Sequence, residues 1–158
     1  MSLFKSSKKG NAGELDSFSY SPGYSDMRGE SHRDTLEKND AGEWIIVSRN
    51  REYHSAPVIV TTYAVGQEKA AHFERFIKEK NVISLANRLK SKEFICDHSP
   101  WNFNIVFDCS AVGGSSYDDY SIGQYKIYTP NDRELLNELK AKFYALKGDM
   151  LSETEETD

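Results

Sequence analysis

Apolar and polar positions follow two rhythms along this chain, and they mark a patterned middle between two unpatterned ends. Residues 43–147 carry strand and helix patterns almost without interruption, whereas residues 1–42 and 148–158 scatter a few apolar positions among Ser, Gly and charge. Glu43 to Ser48 is a β-branched and aromatic run, which predicts a strand, and Pro57 to Val65 predicts a second. Arg49-Asn50-Arg51-Glu52 between them reads as a polar turn. Over 67–80, Ala70, Phe73, Phe76 and Ile77 share one helical face. Asn81 ends that helix, because Asn tolerates the left-handed conformation of a C-cap. Val82, Leu85, Ala86 and Leu89 restart a helical period that ends near Ser91.

Further strands are predicted at Glu93–Asp97, at Phe103–Cys109 and at Ser121–Tyr128. A last helix follows Pro130, with Asn131 as its expected N-cap and Leu135, Leu139, Phe143 and Leu146 along it. Strands and helices segregate rather than alternate. The expectation is therefore an α+β domain over 43–147, a mostly antiparallel sheet of about five strands with helices packed on one face. Residues 1–42 are expected to be a flexible arm and 148–158 a disordered acidic tail, since their apolar residues are too few to offset the ordering of the backbone.

Charge sharpens this division. The net charge is −5. By segment it is +3 over 1–10, −4 over 11–42, +1 over 43–147 and −5 over 148–158, so the acidity belongs to the ends. Within the middle, Arg75, Lys78, Lys80, Arg88, Lys90 and Lys92 face a single acid, Glu79, across one stretch. Such a basic helical face suits an anionic surface, whether nucleic acid or lipid, with binding that weakens steeply with salt.

In the arm, Phe18 and Tyr20 alternate with Ser, and Tyr24 follows Pro22-Gly23. Aromatics in a flexible segment suit docking into a partner's groove. Ser21-Pro22 fits proline-directed phosphorylation, and Tyr24 to Met27 fits the tyrosine pattern read by sorting adaptors.

Catalytic chemistry finds little support. His32, His54, His72 and His98 stand in no nucleophile–base motif, and Gly113-Gly114-Ser115-Ser116 lacks the Lys and the strand-to-helix setting of a phosphate loop. Cys96, His98 and Cys109 are three soft ligands where structural zinc takes four at short spacing, so neither a metal nor a cofactor is expected and the cysteines are read as reduced. Asp108, Asp118 and Asp119 read as strand-end and loop carboxylates. The first residues turn polar at once and no window is apolar enough to span a bilayer, so the expected setting is cytoplasmic.

The start Met1-Ser2-Leu3-Phe4-Lys5-Ser6-Ser7-Lys8-Lys9, followed by Tyr20, Pro22, Gly23 and Tyr24 ahead of one small domain, resembles rhabdovirus matrix proteins over about a quarter of the chain. The resemblance implies an arm that recruits host factors and touches membrane, and a domain that self-associates and condenses a nucleocapsid. The chain departs from that family in having no Pro-Pro-x-Tyr and no strongly basic total charge. The functional expectation is a non-enzymatic assembly or adaptor protein, in its concrete version a viral matrix-type protein. The alternatives are a nucleic-acid-binding module with an acidic regulatory tail and a small acidic inhibitor or immunity-type protein.

Overall fold

Ser alternating with larger side chains over 14–21 makes a strand, not an arm. The computed structural model describes residues 13–23, 29–91, 100–114 and 116–156. Seven strands run along it: β1 Glu14–Ser21, β2 Ser31–Lys38, β3 Trp44–Arg51, β4 Val58–Ala64, β5 Asn102–Asp108, β6 Tyr117–Gly123 and β7 Met150–Glu156. They form one sheet in the order β6-β5-β1-β2-β3-β4-β7, antiparallel at every junction. Among the described residues two α-helices accompany it, α1 Gln67–Glu79 and α2 Pro130–Tyr144.

This corrects the expected five-stranded α+β domain. The described residues are mainly sheet, one antiparallel sheet of seven strands, with about 28% of them helical. Two of the added strands, β1 and β2, come from the expected arm, and β7 comes from the expected tail. The expected strand at 93–97 lies outside the described residues. The expected strand 121–128 begins earlier, at Tyr117, and stops at Gly123. The second expected helix is only a 3₁₀ turn over Val82–Asn87, entered through Asn81 in the left-handed conformation (φ 51°).

The cap of α2 is Thr129 rather than Asn131. Thr129 accepts from the Asp132 backbone at 3.0 Å, and its own N–H donates to Asp132 Oδ2 at 2.9 Å, a reciprocal capping box with Pro130 at the first helical position.

The core forms where β1 meets both helices. Phe18 is 0% exposed. Its ring lies 4.9 Å edge-on from Phe73 of α1, 4.8 Å from Phe143 of α2 and 5.8 Å from Phe103 of β5. Such tilted and edge-to-face pairs add to the gain from area burial. Ile46, Leu36, Ile105, Phe107, Ile122, Ile77 and Leu139 complete the buried cluster. By strand alternation, Ser17, Ser19 and Ser21 point to the opposite face of the sheet.

Phe18→Ala should destabilise the protein by about 3–5 kcal/mol, the usual cost of emptying a buried phenylalanine site. Urea unfolding measures this, and slow amide exchange across residues 17–20 should accompany it. A fragment beginning at residue 43 lacks β1 and β2 and should show no cooperative melting transition. A fragment that melts like the full chain would overturn this placement of β1.

Candidate functional site

Strand β2 brings polar groups into the covered side of the sheet. Asp34 is cross-strand from Tyr20 and Ser48, and it is fully buried. His32 Nε2 lies 3.2 Å from Asp34 Oδ2, and His32 Nδ1 lies 2.6 Å from Asn50 Oδ1. Lys147, just beyond α2, places Nζ 3.6 Å from Asp34 Oδ2 and 4.9 Å from the Tyr63 ring centre. Asp34 Oδ1 has no hydrogen-bond partner among the described residues. His32, Ser48, Asn50, Thr61, Tyr63 and Lys147 border a basin of about 520 Å³.

The electrostatics of this cluster are cooperative. The hydrogen bond to Asp34 raises the His32 pKa, against a smaller opposing effect of burial. Burial alone would push the Asp34 carboxyl up, but hydrogen bonds from His32 and Ser48, with the charges of His32 and Lys147, bring it below its ordinary value. Both ring nitrogens of His32 meet acceptors, which favours the doubly protonated imidazolium. As imidazolium the ring donates to the buried Asp34 carboxylate and helps to satisfy it.

The opposite face of the sheet is different. Over β1, β2 and β5 it carries Ser17, Ser19, Ser21, Thr35, Asn102 and Asn104, and beside them the apolar Val47 and Val106. At one end of this platform Arg33 of β2 stands directly opposite Arg49 of β3. Like charges directly opposite destabilise a sheet, and broken local rules of this kind tend to fall at functional or strained sites. Arg33 donates to Ser19 Oγ at 2.8 Å. Arg49 Nη1 lies 2.7 Å from both carboxylate oxygens of Glu156, at the end of β7. Arg51, two residues on, has a buried Nε with no partner among the described residues. The three arginines border a hollow of about 590 Å³, together with Ser21, Asn102 and Glu156.

The expected site residues are dispersed. Phe18 and Tyr20, expected to be docking aromatics, are core residues of β1, because a strand paired on both sides satisfies its backbone and turns its aromatics inward. Tyr24 lies outside the described residues, as do Leu3, Phe4, Lys5, Lys8, Lys9, Lys92, Cys96 and His98. The basic stretch does not form one free face. Arg88 donates to Asp132 through Nε at 2.7 Å and Nη2 at 2.6 Å, and Lys78 pairs with Glu74 at 3.1 Å. Arg75, Lys80 and Lys90 are exposed.

Cys109 is a buried thiol 3.4 Å from Asp118 Oδ2, and Asp108 accepts from Ser110. Among the described residues no three His, Cys, Asp or Glu side chains gather as metal ligands, and no helix is long and apolar enough to cross a membrane. The arginine face was hidden because Arg49-Asn50-Arg51 reads as a turn. The overlooked signal is that residues 45, 47, 49 and 51 continue one strand alternation. No family model and no curated protein matches the sequence.

The titrating pairs set a pH window. The raised His32 contributes stability that is complete below its ordinary value of 6.5 and is lost as pH climbs through the raised one. Asp34 and Asp132 are lowered, the latter to about 2 by its Arg88 hydrogen bonds, so their contributions hold above the ordinary 3.8 and are lost as pH falls. Urea midpoints should therefore plateau between about pH 4 and about pH 6.5 and decline on either side. His32→Gln should flatten the alkaline decline. An unchanged decline in that variant would assign the titration to another group.

Proposed function

We propose that this protein is a non-enzymatic adaptor that holds an acidic protein segment on the open face of its sheet. The observation that carries this reading is the Arg33–Arg49 cross-strand pair with the Glu156 carboxylate drawn onto it from the chain's own last strand. The arginines repel each other until an anion lies between or beside them. A glutamate already serves one of them, so a carboxylate-bearing strand fits the chemistry of the face. Thr35, Asn102 and Asn104, half-buried beside them, supply hydrogen-bonding groups to an extended backbone without obstructing it. Ile45, Val47 and Val60, half-buried on the same face, add a short apolar strip.

The reading keeps the adaptor role and moves it to another surface. The matrix-type version relied on an aromatic docking arm, and the burial of Phe18 and Tyr20 removes two of its anchors.

Calorimetric titration of the full chain with a hexaglutamate peptide at low salt tests the proposal. Saturable binding is expected. Glu156→Gln, which frees Arg49 while keeping β7, should tighten binding about twofold to fivefold, the scale of one exposed ion pair. Arg33→Gln should weaken it to a similar extent. Absence of saturable binding in Glu156→Gln would remove the proposal. Tighter binding of a single-stranded oligonucleotide of equal charge would move the function to nucleic acid.

A further inference from the structure

On the covered side, a recess of about 250 Å³ opens between the sheet and α2. Its floor is aromatic. Tyr20 stacks on Phe103 with centroids 4.5 Å apart and an interplanar angle of 26°, and Trp101 lies nearly parallel to Tyr128 at 6.1 Å. Trp101 also meets Phe103 edge-on at 5.9 Å. These rings come from β1, β5 and the segments flanking β5 and preceding α2, so the recess exists only in the folded sheet.

The rim belongs to one helix face and is polar apart from Leu136. Arg133, Leu136, Asn137 and Lys140 all border the recess. Their spacing of three, four and seven residues stacks them along one side of α2. Lys140 Nζ stands 5.9 Å from the Tyr20 ring centre. The Arg133 side chain has no hydrogen bond or ion pair among the described residues, and no carboxylate borders the recess. Two cations thus overhang an aromatic floor with no acidic group between them.

We propose that this recess binds a small aromatic carboxylate. The ligand ring lies against Trp101 and Tyr128, where offset stacking is the preferred aromatic arrangement. The ligand carboxylate meets Arg133 and Lys140, whose charges it neutralises, and Asn137 supplies an amide donor beside them. The volume favours one or two fused rings, since drug-sized ligands occupy pockets of about 300–1,000 Å³. A dinucleotide is too large. The site is separate from the arginine face, which lies on the other side of the sheet, so failure at either leaves the other intact.

Calorimetry of the full chain with indole-3-acetate, indole and acetate tests this. Indole-3-acetate should bind saturably, and indole or acetate alone at least about tenfold more weakly, the loss expected when charge-assisted hydrogen bonds or the ring contacts are absent. Arg133→Gln and Lys140→Gln remove charges at the rim of the recess. Each should weaken indole-3-acetate about tenfold while the melting temperature holds. Arg33→Gln should leave this affinity unchanged. The proposal is overturned by equal affinity for indole and indole-3-acetate. It is also overturned by the absence of saturable binding, or by a folded rim variant with undiminished affinity.

Discussion

Strand β2 lies at the middle of the seven with one apolar side chain, Leu36, and a fully buried carboxylate at Asp34. An isolated ionised carboxylate in such a place costs several kcal/mol, so its compensation determines much else. His32 comes from the same strand, Ser48 from β3 and Lys147 from beyond α2. Lys147 can reach Asp34 only if the chain leaving α2 turns back over β4. Gly148 makes that turn, donating to the Ala64 carbonyl at 2.8 Å; a Cβ there would stand 2.7 Å from the same oxygen. From that point the chain enters β7, which pairs antiparallel with β4 and ends with Glu156 beside Arg49. Asp34 and β7 are thus joined through two adjacent residues, Lys147 and Gly148.

The two faces of β1 show the same economy of position. One carries Phe18 and Tyr20 into the helices and the aromatic floor; the other carries Ser17, Ser19 and Ser21 toward the arginine face, where Ser19 accepts from Arg33. A single strand period therefore links the core to both proposed binding surfaces. Shifting its register by one residue would exchange the faces and destroy both. Asp132 has a comparable double role, capping α2 through Thr129 while holding Arg88 with two hydrogen bonds.

Where local pattern and tertiary burial agreed, the sequence was legible. The helix over 67–80, its termination at Asn81, and the strands around 44, 58 and 103 carry strong apolar periodicity. β2 and β7 were illegible for a physical reason: Ser31–Lys38 and Met150–Glu156 are dominated by polar residues, and their strand character derives from neighbours rather than from their own side chains. For Phe18 and Tyr20 the pattern predicts exposure where the structure buries them, because alternation with Ser does not say whether a strand has partners. The basic stretch over-counted its cations, since Arg88 finds its acid 44 positions away in Asp132.

The placement of β1 between β2 and β5 has a consequence for biosynthesis. Its pairing with β2 is local, but its pairing with β5 joins Glu14 to Asp108. At about 5–20 residues per second of translation, several seconds pass in which the nascent chain holds β1 with one edge open. Sheets closed by such distant contacts also fold slowly, on a scale of milliseconds to seconds. During that interval the polar composition of β2 and the serines of β1 act as gatekeepers. They keep an unfinished meander from recruiting the open strand of a neighbouring nascent chain, a protection that a more apolar β2 would forfeit.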